Sequence, residues 1–234
     1  MEKFIQRLKY YGIGFGIGMI FVFFFFRNRG CSWFPENRVK NSLLSKILVV
    51  HDDEMKIMKK HGFTSKSLYI AINKGEVDFG KSAKHQTTKV YAVTIEDAHK
   101  KQVNCFLTLN EDSFISEVRF NAKKASTVKP SKNGFGNFIH FPVEKDLIFI
   151  DSSINKTCHF SALRVRNENH LLKEMMSHGK LDFKKSQLTN LTKPEHCISI
   201  RFSKDISADF YAIWFQEKIE IERITSKSTE KCLD

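Results

Sequence analysis

Apolar and polar positions along the chain fall into distinct regimes. From Tyr10 to Phe26, seventeen consecutive residues carry no charge and end in Phe23-Phe24-Phe25-Phe26. Beyond residue 46 the pattern changes to short apolar runs of strand length, separated by amphipathic stretches with helical spacing. That alternation is expected of an α+β protein. Ala122–Pro142, broken by Pro130, Gly134, Gly136 and Pro142, reads as a linker, and Ser226–Asp234 as a frayed polar tail.

An uncharged helix of seventeen residues spans about 26 Å, at the short end of what crosses a hydrocarbon core of about 30 Å. Lys3, Arg7 and Lys9 precede the run as a signal peptide's basic region would, but Phe24-Phe25-Phe26-Arg27 stands where a small-residue cleavage site belongs. The expectation is an uncleaved single-pass anchor. Lys and Arg flanking the run number three before it and five after it, which favours the C-terminal side as cytoplasmic. Five cysteines (Cys31, Cys105, Cys158, Cys197, Cys232), odd in number and widely spaced, suggest no disulfide framework and lean the same way. Gly12, Gly14, Gly16 and Gly18 form two overlapping small-xxx-small pairs, through which the helix could pair as a homodimer.

The second regime contains a duplication. Gly75-Glu76-Val77-Asp78-Phe79-Gly80-Lys81-Ser82 recurs, 104 residues on, as Gly179-Lys180-Leu181-Asp182-Phe183-Lys184-Lys185-Ser186. Upstream of each copy, apolar residues at i, i+4 (Leu68/Ile72 and Leu172/Met176) mark a helix ending at the glycine, which suits a left-handed terminus. Downstream come strand-like runs: Lys89–Ile95, Cys105–Leu109 and Ile115–Phe120 in the first copy, Ile198–Phe202 and Phe210–Phe215 and on to Ile224 in the second. Apolar runs Ile47–Val50 and Leu147–Ile150 precede the copies. The fold class is therefore read as α+β, an N-terminal transmembrane helix (1–30) followed by two small repeated helix-plus-antiparallel-sheet modules (31–120 and 143–225). A basic linker (121–142) separates the modules, and the tail (226–234) follows the second. Within the motif, Asp78 and Asp182 suit turn N–H groups, with Phe79 and Phe183 entering the core. The competing functional reading makes Asp78, Lys81 and Ser82, with Asp182, Lys185 and Ser186, paired ligand contacts.

Charge refines the picture. The chain is +12 with a pI near 9.4. Residues 1–46 carry +6 and residues 121–142 carry +4, from Lys123, Lys124, Lys129 and Lys132, leaving +1 in residues 47–120 and +1 in residues 143–234. Cations beside the anchor favour anionic lipid headgroups over a nucleic-acid groove, which needs its cations within a folded domain.

Three segments carry a family resemblance: Phe-Ile-Gln-Arg-Leu-x-Tyr-Tyr (Phe4 to Tyr11), Cys31-Ser32-Trp33-Phe34-Pro35 with Arg38-Val39, and the octapeptide from Gly75. Over residues 1–120 the chain resembles a bacterial membrane-anchored family bearing the domain of unknown function numbered 4258. The resemblance implies a bacterial inner (plasma) membrane location and a small helix-plus-sheet module that has been compared with bacterial RNase toxins.

Catalytic signatures are sparse. Cys158-His159 and His196-Cys197 are adjacent pairs whose side chains point apart on a strand, and no metal-binding or nucleotide-loop spacing occurs. No cofactor or metal is expected. An RNase-like centre would draw on His85, Lys81 and Glu117 in the first copy and Lys185, His196 and Glu222 in the second, sets that do not match each other. The expected function is an uncharacterised membrane protein presenting two non-catalytic binding or scaffold modules to an unknown protein partner. A membrane-tethered RNase-like enzyme is the alternative.

Overall fold

The computed structural model describes residues 2–27, 34–110, 113–141, 148–188, 194–214, 218–226 and 232, with the side chains of 2, 3 and 24–27 left aside. The chain divides into two compact units, Met1–Asn41 and Ser42–Asp234. Cys31, Ser32, Trp33, Pro142, Leu147 and most of the expected tail lie outside the described residues.

The first unit contains helix α1 (Glu2–Arg27, 26 residues) and most of α2 (Pro35–Leu44). Pro35 opens α2 where a missing N–H costs nothing, and Glu36 bridges Lys40 at 3.3 Å, one turn on. Among the described residues, no helix is long and apolar enough to cross a membrane. This overturns the expected transmembrane segment and, with it, the single-pass inner-membrane placement. The uncharged run Tyr10–Phe26 amounts to about 26 Å of helix, short of a hydrocarbon core of about 30 Å. Arg7 and Lys9 close that stretch on one side, and Phe24–Phe26 fall outside the described side chains. At Gly12, Gly14, Gly16 and Gly18 an added Cβ would meet nothing within 4 Å.

The second unit starts with strand β1 (Ile47–His51), α3 (Asp52–Lys60) and α4 (Ser65–Lys74). Four strands follow: β2 (Glu76–Ala83), β3 (Lys89–Glu96), β4 (Gln102–Leu109) and β5 (Ile115–Arg119). Then come β6 (Phe135–His140), β7 (Ile148–Ile150), α5 (Lys156–Leu163) and α6 (Glu168–His178). The order repeats with β8 (Lys180–Asp182), β9 (Glu195–Arg201), β10 (Ser207–Trp214) and β11 (Ile219–Thr225). Side-chain caps define the helix starts. His51 accepts from Asp53 N at α3, and Thr64 with Ser67 forms a capping box at α4.

Each copy is thus strand–helix–helix–four strands, and in each the first strand pairs in parallel with the last, β1 with β5 and β7 with β11. The two are not separate modules. One mixed sheet runs β2-β3-β4-β5-β1-β6-β8-β9-β10-β11-β7. Strand β6 joins the copies, antiparallel to β1 on one side and to β8 on the other. Segment 121–142, expected as a linker, therefore holds a 3-10 turn (Ala125–Thr127) and the strand at the centre of the sheet. Its reason is physical: β1 is buried from Ile47 to Val50, and a buried strand edge must find partners for its N–H and C=O groups. Asp52 strengthens the joint, accepting from Asn137 Nδ2 at 2.6 Å and Lys180 Nζ at 3.0 Å.

The largest core cluster crosses that joint. Ile47, Val49, Ile115 and Phe138 share it with Leu171 and Met175 of α6 and with Ile198, Phe210 and Ile221 of the second copy. Helix α4 packs on β3 and β6, while α6 packs on β6, β7 and β9.

Candidate functional site

The repeated octapeptide forms the same bonds twice. Asp78 Oδ1 accepts from the N–H groups of Gly80 and Lys81, both at 3.0 Å. Asp182 Oδ1 accepts from Lys184 and Lys185 at 2.9 and 3.1 Å. Each serine hydroxyl donates to its aspartate's carbonyl at 2.6 Å. It then accepts from the next strand, Ser82 from Ala92 N at 3.0 Å and Ser186 from Cys197 N at 2.9 Å. Lys81 reaches Asp78 at 2.9 Å, and Lys185 reaches Asp209 at 2.6 Å. The Lys81 hydrogen bonds hold the Asp78 carboxyl below the usual range, and the Asp209 hydrogen bond holds Lys185 above its own. All six residues thus have roles in the turn and its bond to the neighbouring strand. Phe183 is buried, whereas Phe79 is only partly covered, edge-on to Tyr91.

The glycines serve a different purpose from the one expected. Gly75 and Gly179 have φ of −65° and −71°, so no left-handed residue is needed. What excludes a side chain is crowding: a Cβ would stand 2.7 Å from Thr94 O at Gly75 and 2.4 Å from Met175 O at Gly179.

Register also aligns one face of the two copies. Phe106 pairs with Arg119 as Tyr211 pairs with Arg223, and Thr94 bonds Asn104 as Ser199 bonds Asp209. In the first copy, segment 122–131 covers this face, with Ala125 and Val128 packed on Val90, Ala92 and Phe106. In the second copy the arginine lies over the ring instead, Arg223 being 3.9 Å from the Tyr211 centroid and 3.6 Å from Glu195.

Beneath that covering segment lies a cluster of charges. Glu117 Oε1 accepts from Ser131 N at 2.9 Å, and its Oε2 accepts from Ser131 Oγ at 2.7 Å and Arg119 Nη2 at 2.9 Å. Glu54 Oε2 accepts from Phe120 N and Asn121 N at 3.0 and 3.1 Å, and Glu54 stands 3.9 Å from Arg119. Arg119 also bonds Ser131 Oγ, while its Nε is buried with no hydrogen-bond partner. Beside this cluster opens a cavity of about 470 Å³ lined by Glu54, Arg119, Asn121, Lys123, Thr127 and Lys129. A second cavity of about 530 Å³ lies where α4 meets the ends of β2, β3 and β4. Phe63, Ile70, Ala71 and Ile95 line it with Glu76, Glu96 and Asp97. Asp97 accepts from the N–H groups of His99 and Lys101, and Lys101's bond is the main reason its carboxyl lies below the usual range.

The RNase-like sets do not assemble. Lys81 is on β2 and Glu117 on β5, with β3 and β4 between them, about 14 Å at the usual strand spacing. Strands β9 and β10 likewise separate β8, whose turn carries Lys185, from Glu222 on β11. His85 is exposed, and His196 is sealed in the core at 1 % exposure. Burial lowers the His196 pKa from 6.5 to about 4. As pH falls from about 6.5 towards 4, the unfolded chain takes up that proton and the folded chain does not. Stability is therefore constant above this window and falls within it, by at most about 1.4 kcal/mol per pH unit. His196→Met is expected to remove this slope from urea-unfolding profiles, and parallel profiles would refute the assignment.

Among the described residues, no group of three or more His, Cys, Asp or Glu could hold a metal ion. The cysteine reading needs correction: Cys158 and Cys232 form a disulfide across 74 residues. Spacing could not reveal a pair brought together only by the fold. Cys105 and Cys197 are buried free thiols, both pushed up to about 12 by burial. Sequence reasoning missed Arg119 and Ser131 as partners of Glu117, and Glu54 as a neighbour of Arg119. The one available signal was Glu117-x-Arg119, whose alternate residues share a strand face.

No family model, curated protein or solved structure matches the chain.

Proposed function

We propose that the chain is a non-catalytic binding scaffold, in which the first copy carries the recognition surface and the second braces the sheet. One observation carries this reading: the three buried carboxylates beside the two cavities, Glu117, Glu54 and Asp97, are already engaged in holding the fold. Glu117 accepts three hydrogen bonds, Glu54 accepts two from backbone N–H groups, and Asp97 is fixed by two more. A general base needs a lone pair within reach of a substrate proton, and these carboxylates already accept hydrogen bonds from the protein itself. The α4 cavity, at about 530 Å³, has the size of a recognition pocket and combines an apolar lining with Glu76, Glu96 and Asp97 against the one cation Lys74. Its complement is an apolar side chain on a basic protein segment.

The test uses Ile70, which is 42 % exposed and lines the cavity. A partner captured by the immobilised chain is expected to be lost on Ile70→Lys with no change in Tm. Hydrolysis of RNA by the purified chain, abolished in Glu117→Gln, would replace this reading with the enzymatic one.

A further inference from the structure

The cavity beside Arg119 has a character unlike that of the α4 cavity. Three cationic side chains line it, Arg119, Lys123 and Lys129, against the single carboxylate of Glu54. That carboxylate is turned towards the backbone N–H groups of Phe120 and Asn121. Glu117, which does not line the cleft, pairs with Arg119 through Nη2. The Nε of Arg119 is buried without an acceptor, and Nη1 comes no nearer than 3.9 Å to Glu54. Lys123 and Lys129 are exposed and make no ion pair among the described residues. Segment 121–142 contains no acid to answer them.

We infer that this cleft is a binding site for a small phosphate-bearing molecule. Arg119, fixed by Glu117 and Ser131 through Nη2, leaves Nη1 as its preoriented donor, and Lys123 and Lys129 close on the anion as point charges. A volume of about 470 Å³ accommodates a ligand of nucleotide size, and the Asn121 amide and Thr127 hydroxyl line the same space. The covering segment makes the site, because it supplies both lysines; on the equivalent face of the second copy Arg223 lies over Tyr211.

Inorganic pyrophosphate is the probe, titrated into the full chain by calorimetry at low salt. One equivalent is expected to bind saturably, and the Lys123→Ala/Lys129→Ala double variant to bind at least tenfold more weakly. A Lys173→Ala/Lys204→Ala control, which removes two exposed lysines elsewhere, is expected to match the parent. No saturable binding overturns the inference, as does equal loss in the control, which would reveal attraction to net charge alone. Single-stranded RNA that displaces pyrophosphate and binds more tightly would also overturn it, in favour of a nucleic-acid backbone. The outcome is independent of the α4 cavity, so either site can fail while the other stands.

Discussion

Glu117→Ala is expected to lower the free energy of unfolding by about 3–5 kcal/mol, the usual cost of removing one partner of a buried ion pair. The Glu117 side chain is only 4 % exposed, and its loss leaves the Arg119 guanidinium, itself 19 % exposed, with Ser131 and the distant Glu54. It also releases the covering segment, which Glu117 holds through the N–H and hydroxyl of Ser131. Glu117→Gln keeps the shape and one acceptor and is expected to cost roughly half as much. Glu117→Ala/Arg119→Met removes both charges and should recover much of the loss. Urea unfolding followed by circular dichroism measures all three. A loss below about 1 kcal/mol for Glu117→Ala would mean that the cluster is not structural, leaving Glu117 free for chemistry.

Dividing the chain has the second large effect. A chain ending at residue 120 lacks β6 beside β1, along with Ser131 against Glu117. A chain beginning at residue 143 lacks β6 beside β8, and its core loses Phe138, Phe141, Ile47 and Val49. Each fragment alone is expected to aggregate, because a bared inner strand is a ready template for pairing. Co-expressing 1–142 with 143–234 restores every strand neighbour and should yield a soluble complex that copurifies. A well-dispersed NMR spectrum from either fragment as a monomer would refute the joint.

What was legible in the chain follows from the range of the interactions. The octapeptide could be read because its bonds are local: an aspartate to the N–H groups two and three residues on, a serine to the carbonyl four residues back. The α+β alternation could be read for the same reason. Strand β6 could not, since Pro130, Gly134 and Gly136 are local signs of a loop, and its two partners are more than 40 residues away in either direction. The candidate cleft failed for the same cause. Glu54 lies in the first turn of α3, and only the fold brings it to Phe120, 66 residues on. Hydrophobicity misled at the N-terminus, where a run of uncharged residues suggested a span that the described helix does not provide.

The shared strand has one more consequence. It joins a first-strand edge, β1, to a second-strand edge, β8, and the sheet ends in one edge of each kind, β7 and β2. Nothing in such head-to-tail geometry closes on itself, so the same joint repeated between molecules would grow into a filament. Both termini of the sheet carry safeguards against that. Strand β7 is three residues long, and β2 loses register between Asp78 and Ala83, where Lys81 stands out into solvent. The turn that pins each repeat internally therefore also caps the ladder at its open end.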